Sequence, residues 1–260
     1  MDLGLRGKCV AVTGASQGIG RAIARHFAAE GCDLFLAARS AELLATLADE
    51  LRAKHHIKVH AMALDLSNSA AQTEFAQAAG DADILVNNAG AIPGGRIDEI
   101  DEARWRAAWD LKVFGYINMT RHFYARMKAR RRGVIVNIVG TGGEAPKANY
   151  ICGAAGNAAL MAFTRALGGD SPVDGIRVVG INPGPIETER LVTLMKKSAQ
   201  EKFGDAGRWR DMVKPLPFGR AGTVDEIAAM ATFLASDKSG YTSGTIVTID
   251  GGHVNRGGLM

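Results

Sequence analysis

The chain predicts an α/β fold, a single domain built on a doubly wound parallel sheet with helices on both faces. Three observations carry that expectation. Short β-branched or apolar runs alternate with longer segments of helical period, as in repeated strand-helix-strand units. A glycine-rich turn, Thr13 to Gly20, joins the first such run to the first helical segment. The 260 residues, 47% hydrophobic and 22% charged, suit one well-filled domain with a sizeable core.

The first strand is read at Cys9-Val10-Ala11-Val12 and the first helix from about Gly18 to Glu30, with Gly31 ending it. Leu34 to Ala38 supplies a second strand, followed by a helix near Ala41 to Lys54 and a strand near Val59 to Ala63. A helix near Ser69 to Ala79 and the strand Ile84-Leu85-Val86 complete one half. The other half opens with one long helix from roughly Glu102 to Arg130, then the strand Val134 to Ile138. A Gly-rich loop precedes a small-residue helix from about Gly153 to Leu167, and Val178 to Ile181 makes a further strand. Thr223 with Glu226 three residues on reads as a capping box for a helix ending near Ala235, before a last strand at Thr245 to Ile249. The stretch 187–217 is the least regular, and its Pro and Gly suggest a mobile substrate flap.

Composition narrows the function classes. A net charge of +4 is small for this length, and the one dense basic run, Lys128 to Arg132, falls at a helix end where cations complement the dipole. A nucleic-acid partner is not expected. Cys9, Cys32 and Cys152 form no paired motif and suit a reducing cytoplasm, with Cys9 and Cys32 in core strands. His55, His56 and His60 lack ligand partners at metal spacing, so no metal is expected; no apolar stretch approaches membrane-spanning length.

The turn Thr13-Gly14-Ala15-Ser16-Gln17-Gly18-Ile19-Gly20 lies directly between a strand and a helix. Gly14 permits the tight turn, Gly18 a close backbone approach to a pyrophosphate and Gly20 close helix-sheet packing, while the helix N-terminus offers free N–H groups to the anion. An acidic residue at the end of the second strand would hydrogen-bond a ribose 2′-hydroxyl; Ala38 and Arg39 stand there instead, and a guanidinium pairs with a 2′-phosphate. NADP(H) is therefore the preferred cofactor, with NAD(H) the alternative. Ser16 can add a hydroxyl to the same phosphate.

The Thr-Gly-x-x-x-Gly-x-Gly spacing, together with Asn87-Asn88-Ala89-Gly90, Asp65-Leu66, Asn182-Pro183-Gly184-Pro185-Ile186 with Thr188, and Asp250-Gly251-Gly252, resembles the short-chain dehydrogenase/reductase family along almost the whole chain. The resemblance implies a Rossmann-type sheet and hydride transfer between nicotinamide and a carbonyl or alcohol. It also implies an adenine contact at Asp65 and Leu66, and cofactor contacts at Asn88, Ala89, Gly90, Pro183, Gly184, Ile186 and Thr188. Members use a tyrosine acid/base, a lysine that lowers its pKa, a serine that polarises the substrate oxygen and an asparagine that holds a water relay. A free tyrosine titrates near 10, hence the need for a cation.

Registered on Ala158 to Arg165, the family lysine falls on Asn157 and its tyrosine on Gly153. The serine falls on Gly140 and the asparagine on Lys112, so the resemblance implies replacement of all four. Two readings stand. In one, an oxidoreductase has relocated its acid to Tyr150, one helical turn earlier, with Lys112 as the cation and Thr141 as the hydroxyl donor; Tyr116, four residues after Lys112, is a weaker substitute acid. In the other, the chain binds NADP(H) with little or no dehydrogenase activity and Tyr150 merely packs on the flap. Reduction of an activated double bond, which needs little proton assistance, is a third option.

The small residues Ala154, Ala155, Ala158 and Ala159, with the Gly-rich tail after the last strand, are the surfaces through which the resemblance implies a homo-oligomer, a dimer or tetramer with the homotetramer expected. Leu191, Leu194, Met195, Phe203 and Trp209 are expected to close over an apolar small-molecule substrate.

Overall fold

The computed structural model describes residues 1–256. Seven parallel strands form one sheet in the order β3-β2-β1-β4-β5-β6-β7: β1 (Cys9–Thr13), β2 (Asp33–Ala38), β3 (Val59–Ala63), β4 (Ile84–Asn87), β5 (Gly133–Ile138), β6 (Ile176–Pro183) and β7 (Ile246–Ile249). Each strand expected from the residues is present. Because strand side chains alternate, successive residues feed opposite layers. Val10, Val12, Ile84 and Val86 pack on one face under α1 (Gly18–Ala29), α2 (Ala41–His55) and α9 (Val224–Ala235), while Ala11 and Leu85 meet the other face. That second layer contains α3 (Ser69–Ala78) and α5 (Gly115–Arg130), through Phe75, Met119, Phe123 and Met127. The chain reverses direction across the sheet between β1 and β4, and the crevice at the carboxyl ends of these strands is where such folds bind ligands.

One polar ladder crosses the core. Asn87 Nδ2 donates to Asn137 Oδ1 (2.9 Å) and to Thr120 Oγ1 (3.1 Å), and Asn137 Nδ2 donates to Thr164 Oγ1 (3.0 Å). Full burial makes these bonds costly to break, and they tie the ends of β4 and β5 to α5 and α6 (Ile151–Asp170).

The long helix expected over 102–130 is interrupted. The helix α4 (Glu102–Trp109) passes into a π-helical turn, Asp110–Phe114, before α5. Such turns cluster at functional sites, and Lys112 lies in this one. Gly115 follows it, with room for a Cβ only 3.3 Å from Asp110 O. The basic run is more than a solvated helix end: Lys128, Arg130 and Arg132 pair with Asp174 (3.0 Å), Asp81 (2.8 Å) and Asp83 (3.4 Å).

The segment 187–217 is not irregular. It forms α7 (Glu189–Phe203) and the short α8 (Trp209–Val213), closed around Ala199, Trp209 and Val213. Thr188 caps α7 through Leu191 N, and Gly204 in the left-handed region ends it, so the glycine that suggests a loop is a helix stop. Met195 and Phe203 pack onto this local cluster rather than over a substrate. The Thr223–Glu226 capping box is present at α9. Among the described residues no helix is long and apolar enough to cross a membrane, and no His, Cys, Asp and Glu group could hold a metal.

Candidate active site

A cleft of about 1170 Å³ opens along the carboxyl ends of the strands. Its floor at β1 is the glycine turn. Gly14 has φ +67°, and a Cβ there would stand 2.8 Å from Ala89 Cα; one on Gly20 would stand 2.2 Å from Gly14 O. Only hydrogen fits at either position. The turn is clamped from β4: Thr13 Oγ1 accepts from Asn88 N (2.9 Å) and Ala89 N (3.1 Å), and Asn88 Nδ2 donates to Thr13 O and Gly14 O, both at 3.0 Å. Such a cradle, fitted to a group that approaches backbone closely, suits a dinucleotide pyrophosphate.

Ser16, Gln17, Gly18 and Ile19 line the cleft beside this turn, with Arg39 exposed at its β2 end. Leu66, Asn88, Ala89, Gly90, Pro183, Gly184 and Thr188 also line it. Three expected cofactor residues do not. Gly20 is spent on packing against Gly14, and Ile186 is 5% exposed in the core under α9. Asp65 folds back, its Oδ1 accepting from Ser67 N (3.0 Å) and Ser67 Oγ (2.8 Å), bonds that hold its carboxyl below the usual range.

At the β5 end the cleft gathers Tyr150, Lys112, Thr141 and Asn157. Tyr150 is the N-cap of α6, which starts earlier than its small-residue pattern indicates because Tyr150 O already accepts from Ala154 N (2.9 Å). Its ring lies between two glycines. A Cβ on Gly153 would stand 2.1 Å from Tyr150 Cζ and 2.5 Å from its Oη, and one on Gly142 would stand 3.1 Å from Cδ1 and Cε1. The ring therefore occupies the space where residue 153 would begin a side chain. Trp109, Ile92 and Cys152 pack beside it, so its apolar neighbours come from the helix around the π turn and the loop after β4, not from α7. Burial raises the Tyr150 pKa, while the charge of Arg190 opposes the rise.

Lys112 Nζ donates to Val139 O at 2.6 Å, just before Gly140, and lies 5.9 Å from the Tyr116 ring centroid. Desolvation, aided by Arg190, brings its pKa down from 10.5 to about 8. Tyr116 is not a substitute acid. It is 1% exposed, its hydroxyl donates to Ile138 O (2.8 Å), and burial pushes its pKa up. The four-residue spacing does bring Tyr116 beside Lys112, but the Tyr116 hydroxyl is committed to the Ile138 carbonyl in the core while Lys112 lines the cleft.

Asn157 is 2% exposed, and its Oδ1 has no hydrogen-bond partner among the described residues. A Cβ on Gly140, which has φ +127°, would stand 3.0 Å from Asn157 Nδ2. Buried acceptors of this kind are costly unless a ligand or water meets them, which marks Asn157 as facing a binding space. Asn182 steadies the same loop, accepting from Gly140 N (3.1 Å) and donating to Glu144 Oε1 (2.7 Å). Arg190, Lys147 and Arg256 also line the cleft, as do Leu191 and Leu194. No spacing motif singles out Arg190; its one sequence signal is a cation in the first turn of a helix capped by Thr188, where the dipole disfavours it.

A glycine cradle at the switch point of a parallel sheet, opening toward a tyrosine and a lysine, defines a dinucleotide-dependent oxidoreductase site. The chain belongs to the short chain dehydrogenase family, whose model matches residues 8–199. It is 37% identical over 251 residues to galactitol 2-dehydrogenase (L-tagatose-forming) of Cereibacter sphaeroides, covering 96% of each chain. Its fold superposes on L-sorbose reductase from Gluconobacter frateurii, solved with NADPH and L-sorbose, with a TM-score of 0.93 at 31% identity, covering 98% of this chain and 100% of that one. It also superposes on 7α-hydroxysteroid dehydrogenase, solved with NADH and 7-oxo glycochenodeoxycholic acid, with a TM-score of 0.87 at 30% identity, covering 98% of this chain and 97% of that one.

Proposed function

We propose that the protein is an NADP(H)-dependent oxidoreductase that interconverts a carbonyl and an alcohol through a rearranged acid/base site. The observation that carries this reading is the convergence of Tyr150, Lys112 and Thr141 on the cleft that also contains the glycine cradle and Arg39. Arg39, with no carboxylate beside it at the end of β2, favours the 2′-phosphate of NADP(H) over the free ribose of NAD(H). The NADPH in the L-sorbose reductase structure supports the same choice, while the NADH in the hydroxysteroid enzyme shows that related folds take either.

When bound, reduced nicotinamide supplies a hydride to the carbonyl carbon and is oxidised. Tyr150 keeps its proton at neutral pH because burial raises its pKa, so its hydroxyl is suited to donate that proton to the substrate oxygen as the C=O becomes CH–OH. To the Lys112 ammonium, cationic below about pH 8 and on the same cleft, we assign the role of offsetting the phenolate left behind, in the same sense as the charge of Arg190 that already acts on Tyr150. Thr141 offers a hydroxyl next to Gly140 to orient the substrate oxygen. Relative to the family pattern, the lysine and asparagine have changed places, at 112 and 157, and the tyrosine enters from one turn away over Gly153. Leu191 and Leu194 on α7 cover the cleft as a flap.

The exposed Ala155, Ala158 and Ala159 on α6 and the open edge of β7 are the surfaces for a homotetramer; the tail at 257–260 lies outside the described residues. Three free thiols suit the cytoplasm. The deciding experiment measures NADPH oxidation across ketones, quinones and enones for the wild type, Tyr150→Phe and Thr141→Val. Tyr150→Phe should lower kcat at least a hundredfold with carbonyls. Activity untouched by the change would remove Tyr150 as the acid. Intact NADPH binding without turnover of any substrate would favour a cofactor-binding protein instead, a reading supported by the upward pKa of Tyr150 and the Lys112 bond to Val139 O.

A further inference from the structure

The substrate end of the cleft is cationic. Arg190, in the first turn of α7, donates from Nη2 to Ile92 O on the loop after β4, a bond that holds its guanidinium across the cleft from its own helix. Its charge reaches both Tyr150 and Lys112. Lys147, whose carbonyl accepts from Tyr150 N (3.0 Å), and Arg256, whose Nη1 donates to Pro215 O (2.8 Å), line the same cleft. Among the described residues its one carboxylate is Glu189, which is tied to Arg21 at 2.7 Å. Two cations, Arg190 and Lys112, thus stand near each other with no acid between them, an arrangement that costs energy until an anion enters.

The 2′-phosphate of the cofactor does not account for this charge. Arg39 follows β2 and Tyr150 follows β5, three strand spacings away, about 14 Å at ~4.8 Å each. The 2′-phosphate assigned to Arg39 therefore lies far from Arg190. We propose that Arg190 anchors the carboxylate of the substrate, so that the protein acts on oxo acids or hydroxy acids in preference to neutral carbonyl compounds. A planar guanidinium with one N–H committed to Ile92 retains further donors for a two-point grip on a carboxylate, which fixes the orientation of the carbonyl relative to Tyr150. This rests on the reading of the cleft as a dehydrogenase site.

The test loads the full-length protein with NADPH and titrates pyruvate, acetoacetate and levulinate against their methyl esters, reading binding by calorimetry and turnover by NADPH absorbance. The proteins compared are the wild type, Arg190→Gln and, on the same helix outside the cleft, Lys197→Gln. At least one acid should bind the wild type and Lys197→Gln tenfold or more tightly than its ester. Arg190→Gln should erase that preference and keep the NADPH Kd within twofold. Esters binding as well as acids, no acid binding, or a preference that survives Arg190→Gln would overturn the proposal. So would a weakened NADPH Kd with substrate preference unchanged, which would give Arg190 to the cofactor. Arg190-dependent acid binding without turnover would uphold the anion site and sink the dehydrogenase reading. Ester turnover without acid preference would do the reverse.

Discussion

Gly153→Ala tests the position of the Tyr150 ring more directly than any change at Tyr150 itself. The added methyl would stand 2.1, 2.2 and 2.5 Å from Cζ, Cε1 and Oη of that ring, whose other face rests on Gly142. Contacts this short are not tolerated, so the ring must leave its slot. Overpacking of this kind costs about 1–3 kcal/mol. Alanine also replaces a glycine inside α6, which by itself stabilises a helix by about 1 kcal/mol. The single variant should thus be destabilised by roughly 0–2 kcal/mol. In a Tyr150→Ala background the clash is gone, and Gly153→Ala should stabilise by about 1 kcal/mol. Urea unfolding of the four proteins measures the coupling, expected at about 1–3 kcal/mol. NADPH oxidation by Gly153→Ala should fall toward that of Tyr150→Phe. Additivity within about 0.5 kcal/mol would mean that the ring does not lie over residue 153, and the relocated-acid argument would lose its geometric basis.

Lys112 links activity and stability with opposite signs. Its folded pKa of about 8 lies below the ordinary 10.5, so between these values the folded protein releases a proton that the unfolded chain keeps. Stability of the wild type relative to Lys112→Met should rise with pH across that window in denaturant titrations, while carbonyl reduction falls above about pH 8 as the ammonium is lost; a flat difference in both would remove the buried cation from the mechanism. Arg39→Ala should weaken NADPH binding by about tenfold or more and NADH binding little, since a charge-assisted bond to phosphate contributes about 1.5–3 kcal/mol; equal losses by calorimetry would contradict the 2′-phosphate assignment. Thr223→Ala removes the N-cap whose Oγ1 accepts from Glu226 N (3.1 Å) and should cost about 1 kcal/mol in thermal unfolding without altering cofactor affinity.

The strands, the glycine cradle and the capping box were legible in the chain because each depends on local chemistry. Apolar runs, a backbone turn that excludes side chains and a hydroxyl three residues before a glutamate leave their mark within a few residues. The register that puts Gly153, Asn157, Gly140 and Lys112 at the family's four positions is what the resemblance implied. Where the pattern misled, a contact of the folded chain had claimed the side chain. Tyr116 shares a helical spacing with Lys112 and lies beside it, yet burial and the carbonyl of Ile138 keep its hydroxyl out of the cleft. Asp65 is occupied by Ser67, and the apolar residues Met195, Phe203 and Trp209 close on one another in the α7 and α8 pair.

The amino-acid order by itself determined the doubly wound sheet and the glycine turn between β1 and α1. Tertiary structure alone decided which side chains meet at the β5 end of the cleft. Tyr150 takes its place in the cleft because Gly142, on the loop after β5, and Gly153, in the first turn of α6, leave room for its ring. Arg190 faces the site because α7 folds over the cleft and Ile92 O holds its guanidinium. Both follow from close packing in the folded chain, within one loop-helix junction for Tyr150 and between distant segments for Arg190, for which no periodicity or motif is required, and on them rest the proposed acid and the charge of the proposed substrate.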